Sequence, residues 1–153
     1  MYDYSMEHLF SYTATLDSNA EVIGPVPSGL RMNVYITGGE VSGPRLKGKI
    51  RPVGADWLTI RTDGVCILDV RATIETHDGA LIYVEYNGVA DPGEDTYQRF
   101  LDGDPPEKLV IRAVPRVITS HPDYLWLNRL QCVNIGEANL VDWVVSYDVY
   151  GLR

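Results

Sequence analysis

Hydrophobic and polar positions alternate along most of this chain. The longest clean run is Val65–Thr76. There Cys66, Leu68, Val70, Ala72 and Ile74 share one face, and Asp69, Arg71, Thr73 and Glu75 the other. A period of two marks a half-buried strand, because successive side chains point to opposite faces of a sheet. The same reading predicts strands at His8–Leu16, Leu30–Thr37, Arg45–Arg51, Trp57–Arg61, Ala80–Gly88, Lys108–Val114, Tyr124–Val133 and Ala138–Tyr150. Turn signals separate them at Gly38-Gly39, Gly43-Pro44, Thr62-Asp63-Gly64 and His77-Asp78-Gly79. Asn19 to Gly29 reads as a Gly/Pro-rich connection. One stretch, 91–107, breaks the rhythm: Asp91, Glu94, Asp95, Asp102 and Asp104 cluster around Pro92, Gly93, Pro105 and Pro106. This acidic insert is predicted as an exposed loop with one helical turn at Thr96–Leu101.

No segment has the periodicity of a long amphipathic helix. The class is therefore all-β. The architecture expected is a single antiparallel β-barrel of roughly eight to ten strands over residues 1–153, since closure removes exposed sheet edges. A two-sheet sandwich is the alternative. Composition agrees: 14 Gly and 9 Pro punctuate a chain rich in β-branched residues and Tyr.

Charge narrows the partners. A formal net charge of −8 and a pI of about 4.7 oppose nucleic acid and anionic membranes. The basic run Arg45, Lys47, Lys49 and Arg51 alternates with Leu46, Gly48 and Ile50, as a solvated strand face does. Cys66 and Cys132 each sit in an apolar run and read as buried free thiols. No apolar stretch approaches the roughly 18 residues of a membrane helix. The start, Met1-Tyr2-Asp3-Tyr4, has no signal-peptide character, so a soluble cytoplasmic protein is expected.

Candidate chemistry is sparse. His8, His77 and His121 have no metal-ligand spacing, and no nucleotide-binding glycine motif or nucleophile elbow is present. Neither a metal nor a cofactor is expected. In the strand read at Tyr124–Asn128, Tyr124, Trp126 and Asn128 share a face, which suits either a pocket wall or an ordinary core. Asp69 with Arg71, and Arg31 with Asn33 and Tyr35, also share faces. Periodicity favours a salt-bridged exterior for both sets, and a wet lumen would turn them into ligand contacts. Asp56 precedes Trp57, and a carboxyl beside an indole can be desolvated toward general-base range.

Several short motifs recur in order: Pro27-x-Gly29-x-Arg31, Gly38-Gly39, Gly43-Pro44-x-Leu46-x-Gly48, Asp56-Trp57, Asp63-Gly64 and Asp69-x-Arg71. Thr76-x-Asp78-Gly79, Tyr124-x-Trp126-Leu127-Asn128, Gly136 and Tyr147-x-Val149-Tyr150 complete the set. The ordered series resembles the bacterial and fungal family called domain of unknown function 3237, from about Leu9 to Tyr150. Gly54-Ala55-Asp56-Trp57 stands where that family usually has Gly-Gly-Asp-Trp, and the insert at 91–107 is longer than usual. The resemblance implies a compact antiparallel barrel, often a homodimer. Its recurrent polar positions fall on Arg31, Asp56, Trp57, Asp69, Arg71, Tyr124, Trp126 and Asn128.

The function expected is a small-molecule-binding barrel acting as a cofactor-independent isomerase, lyase or cyclase on a carbonyl-bearing metabolite. Asp56, Arg71, Arg31 and Asp69 are its candidate catalytic residues. Trp57, Tyr35, Tyr124, Trp126 and Asn128 are its candidate substrate contacts. The alternatives are a non-catalytic carrier and a structural homodimer with a filled barrel.

Overall fold

A computed structural model describes residues 1–153. Ten strands form one antiparallel sheet: β1 (Met6–Leu16), β2 (Glu21–Val26), β3 (Gly29–Ser42), β4 (Gly48–Ile60), β5 (Cys66–Thr76), β6 (Leu81–Ala90), β7 (Lys108–Ala113), β8 (Arg116–Ile118), β9 (Gln131–Asn139) and β10 (Val144–Leu152). Eight of them close on themselves in the order β1-β10-β9-β7-β6-β5-β4-β3, with β3 returning to pair with β1. The remaining two are accessory. β2 forms a hairpin on β3, and β8 resumes the line of β7 past Val114-Pro115 to pair with β6.

The strands form where the alternation is cleanest. On β5, Leu68, Val70, Ala72 and Ile74 line the interior while Asp69, Arg71 and Thr73 face out. Both cysteines are free and buried. The helical turn in the acidic insert is present as α1 (Thr96–Leu101). No helix is long and apolar enough to cross a membrane.

Four readings of the sequence need correction. Asn19–Gly29 is not only a connection, since it contains β2. Arg45–Arg51 and Trp57–Arg61 are not separate strands, because β4 runs through both with a register shift between Ile50 and Gly54. Gly38-Gly39 does not turn the chain. It lies inside β3, where β1 comes so close that a Cβ on Gly39 would sit 2.2 Å from the Thr13 carbonyl oxygen. Finally, Tyr124–Asn128 is not a strand. Pro122–Arg129 is a 3₁₀ helix, with Pro122 at its start and the His121 ring accepting from the Asp123 amide. The last hairpin accordingly turns at 140–143, between β9 and β10.

The two ends of the barrel are built differently. At the end carrying the β5–β6 turn, the 3₁₀ helix buries Leu127 completely and Tyr124 almost so. The other end is bordered by Leu16 of β1, Phe100 of α1, and Leu140 and Trp143 of the last hairpin. The acidic insert thus supplies one side of the mouth. Its last residue, Glu107, accepts a hydrogen bond from the Leu140 amide at 2.8 Å.

Candidate functional site

The barrel encloses a lumen of about 70 Å³, lined by 28 residues of which 25 are hydrophobic. On this measure one water takes about 10–15 Å³, so the space suits roughly five waters or one ring-sized molecule. The lining holds no Lys, Arg or His and a single carboxyl, Asp56. Its other polar groups are Asn134 and the hydroxyls of Tyr12, Tyr86 and Tyr147, together with the Trp143 indole.

Strand register places this polar set at the waist. Asp56 on β4 pairs with Val70 on β5, which pairs with Tyr86 on β6. Across the barrel, Tyr12 on β1 pairs with Tyr147 on β10, which pairs with Gly136 on β9. Gly136 leaves room for the Tyr147 ring, since a Cβ there would lie 2.6 Å from it. The Tyr12 and Tyr147 rings are 5.2 Å apart, and those of Tyr86 and Tyr147 are 5.8 Å apart. Asn134 Nδ2 donates to the Tyr12 hydroxyl at 3.2 Å, and that hydroxyl donates to Tyr86 at 3.4 Å. Two buried atoms of this cluster have no hydrogen-bond partner: Asn134 Oδ1 and the Tyr147 hydroxyl. Buried polar groups are nearly always satisfied, so such pairs of orphans call for a ligand or water.

Asp56 accepts one hydrogen bond, from the Asp69 backbone N–H at 2.9 Å, and forms no salt bridge within 4.0 Å. Burial pushes its pKa from 3.8 up to about 7; the Asp69 N–H and the distant Arg31 charge oppose the rise, and the Asp69 carboxylate adds to it. Burial also raises the phenols of Tyr12, Tyr86 and Tyr147, and the Asp56 charge adds to the rise at the last two. All three therefore stay protonated and able to donate. Near neutral pH Asp56 populates both its acid and its base form, the condition for passing a proton in either direction.

The structure does not gather the sequence candidates around Asp56. Trp57 points the other way from β4, opposite Asn33 on the outer face. Arg31 reaches along that face to the Thr59 hydroxyl at 3.1 Å, and Tyr35 donates to Glu21 at 2.6 Å. Arg71 donates to Asp69 at 2.5 Å and lies 3.6 Å from Glu85, also outside. The three 3₁₀-helix residues are at the closed end. The Tyr124 hydroxyl donates to the Asp78 carboxylate at 3.0 Å. The Arg45 guanidinium stacks on Trp126 at 4.1 Å. Asn128 clasps Thr119, accepting from its N–H at 2.9 Å and donating to its carbonyl at 2.8 Å. None of these eight lines the lumen. Sequence reasoning missed Tyr12, Tyr86, Tyr147 and Asn134. Their signal is a polar tip in the apolar phase of a strand, as in Phe10-x-Tyr12-x-Ala14 and Val145-x-Tyr147-x-Val149.

Comparison with known proteins places the whole chain. A family model described as "Protein of unknown function (DUF3237)" matches residues 4–152. A UPF0311 protein of Rhodopseudomonas palustris is 35% identical over 134 residues, which cover 86% of this chain and 86% of that one. A crystal structure of a beta-barrel like protein from Acinetobacter baumannii superposes with a TM-score of 0.84 at 30% identity, covering 100% of this chain and 98% of the other. A crystal structure of an enzyme from Penicillium herquei superposes with a TM-score of 0.73 at 21% identity, covering 100% and 97%. At that identity the likeness shows the fold alone.

Proposed function

The chain belongs to the DUF3237 family of proteins of unknown function, and we propose that it uses its lumen to bind a small neutral molecule and move a proton on it, with Asp56 as general acid and base. The observation that supports this most directly is Asp56 itself. It is the one carboxyl in a mostly apolar lumen, held by a single N–H and poised near neutrality. Neutral substrates fit because no cation lines the cavity to meet an anionic group. Arg31 and Arg71 lie outside the lumen, so its hydroxyl donors are the phenols. Tyr12 spends its proton on Tyr86, which leaves the hydroxyls of Tyr86 and Tyr147 free to donate among apolar walls, the arrangement that stabilises an enolate oxygen as it develops. The reaction class is then proton transfer next to a carbonyl: isomerisation, elimination or ring closure. A second reading, binding without chemistry, is favoured by the apolar majority of the lining.

Deuterium exchange separates the two. Small neutral ketones are incubated with the protein in D₂O, and loss of their α-proton signals is followed by NMR. The unmodified protein is expected to accelerate exchange, and Asp56→Asn to lose that acceleration by roughly 10²-fold or more. Equal exchange by both proteins refutes the role of Asp56. Ketone binding with no exchange above buffer leaves the carrier reading.

A further inference from the structure

We propose that Trp143 is a specificity-determining residue of the lumen, held at the mouth to present a flat face to planar, unsaturated ligands. The inference rests on the lumen being the binding site. Trp143 ends the turn between β9 and β10 with φ 54°, in the left-handed region. Every other residue of this chain with positive φ is glycine, at nine positions. A bulky residue with φ above zero is strained, and the closing position of such a hairpin loop ordinarily carries Gly or Asn. The turn itself is firmly made. Asn139 Oδ1 accepts from the amides of Val141 and Asp142 at 2.9 and 3.0 Å, and the Trp143 carbonyl accepts from Leu16 N–H at 2.8 Å. None of those bonds uses the indole, so the turn does not require a tryptophan.

Core packing does not explain the residue either. Trp143 is half-buried and stands outside the apolar core cluster. What its side chain does touch is the lumen, where it forms part of the rim with Leu16, Phe100 and Leu140. Strained residues that persist without a packing reason concentrate at ligand clamps and active sites. The polar groups lie deeper, at the waist. A ligand bonded to them therefore extends its far side toward the indole, which rewards a ring over a puckered chain.

The probes are p-cresol and its ring-saturated analogue 4-methylcyclohexanol, titrated into the protein and followed by NMR. Offset or edge-on aromatic contact is worth a factor of about two to ten beyond area alone. The unmodified protein is expected to prefer p-cresol by about that factor. Trp143→Gly is expected to remove the preference, and Trp143→Phe to restore most of it. Because glycine relieves the strain, Trp143→Gly should still melt cooperatively within a few degrees of the unmodified protein. An unchanged probe ratio in a folded Trp143→Gly overturns the inference and leaves the lumen reading intact. So does a Trp143→Gly that fails to fold together with a Trp143→Phe that shows no preference. Binding of neither probe by the unmodified protein removes the lumen reading, and this inference with it.

Discussion

Asp56→Asn should stabilise the protein, and increasingly so as pH rises. In the folded protein Asp56 ionises at about 7, against 3.8 for an unburied aspartate. The unfolded chain therefore gives up this proton first. Between those two values the folded state holds more protons than the unfolded one, so stability falls as pH rises. The stability is complete below the unfolded value and is lost progressively up to about pH 7. A shift of this size corresponds to about 4 kcal/mol in all, of which roughly 2–3 kcal/mol falls between pH 5 and pH 8. Asparagine stays neutral throughout and keeps an oxygen to accept the Asp69 N–H. Every other titrating group is common to both proteins, so taking the difference isolates Asp56. The assay is thermal unfolding of the two proteins from pH 5 to pH 8. At about 2–4 °C per kcal/mol for a domain of this size, the gap in Tm should widen by about 4–12 °C across that range. A gap that stays constant within 2 °C would show that Asp56 ionises like an exposed aspartate, and the proton-transfer reading would lose its base.

Two further outcomes follow from the hydrogen bonds. Tyr147→Phe deletes a buried hydroxyl that has no partner, so thermal melting should show stability unchanged or raised by about 1–2 kcal/mol, while ketone exchange falls. Asn128→Ala leaves the Thr119 N–H and carbonyl without their partner at the closed end, so denaturant unfolding should show a loss of about 2–4 kcal/mol, with binding of p-cresol preserved.

The fold was largely legible because most strands of this barrel have one apolar and one polar face. Cys66–Thr76 could be assigned with its inward set, and Asp63-Gly64 and Asp78-Gly79 marked its two hairpins. The misreadings have physical causes. A Gly-Gly pair means a turn or a close approach of two backbones, and only the partner strand decides. For Gly39 that partner is Thr13, far away in sequence. Tyr124 to Asn128 alternates by accident over a segment too short to distinguish a strand from a 3₁₀ helix. The better signal was local: Pro122 after His121, at a helix start. Beyond the mouth, α1 brings Phe100 to the lumen, a contact that no periodicity in an acidic loop could announce.

The site was harder to read because polar residues are abundant on both sides of the wall. Arg31, Asn33, Tyr35, Asp69 and Arg71 look like a constellation because they alternate together, but alternating together is what an outer face does. They also find partners on that face, with Arg71 on Asp69 and Tyr35 on Glu21. The lumen groups behave oppositely. Each stands alone in the apolar phase of its own strand: Asp56 with Leu58 and Ile60, Tyr12 with Phe10 and Ala14, Asn134 with Cys132. A polar residue in phase with its neighbours needs no further explanation than solvent. One out of phase costs stability unless something meets it. The two neighbouring carboxylates show the contrast: Asp69 faces out and is met by Arg71, whereas Asp56 faces in and is met by one backbone N–H. A single N–H leaves most of its acceptor capacity free, so it is the inward carboxyl, not the paired one, that is available for chemistry.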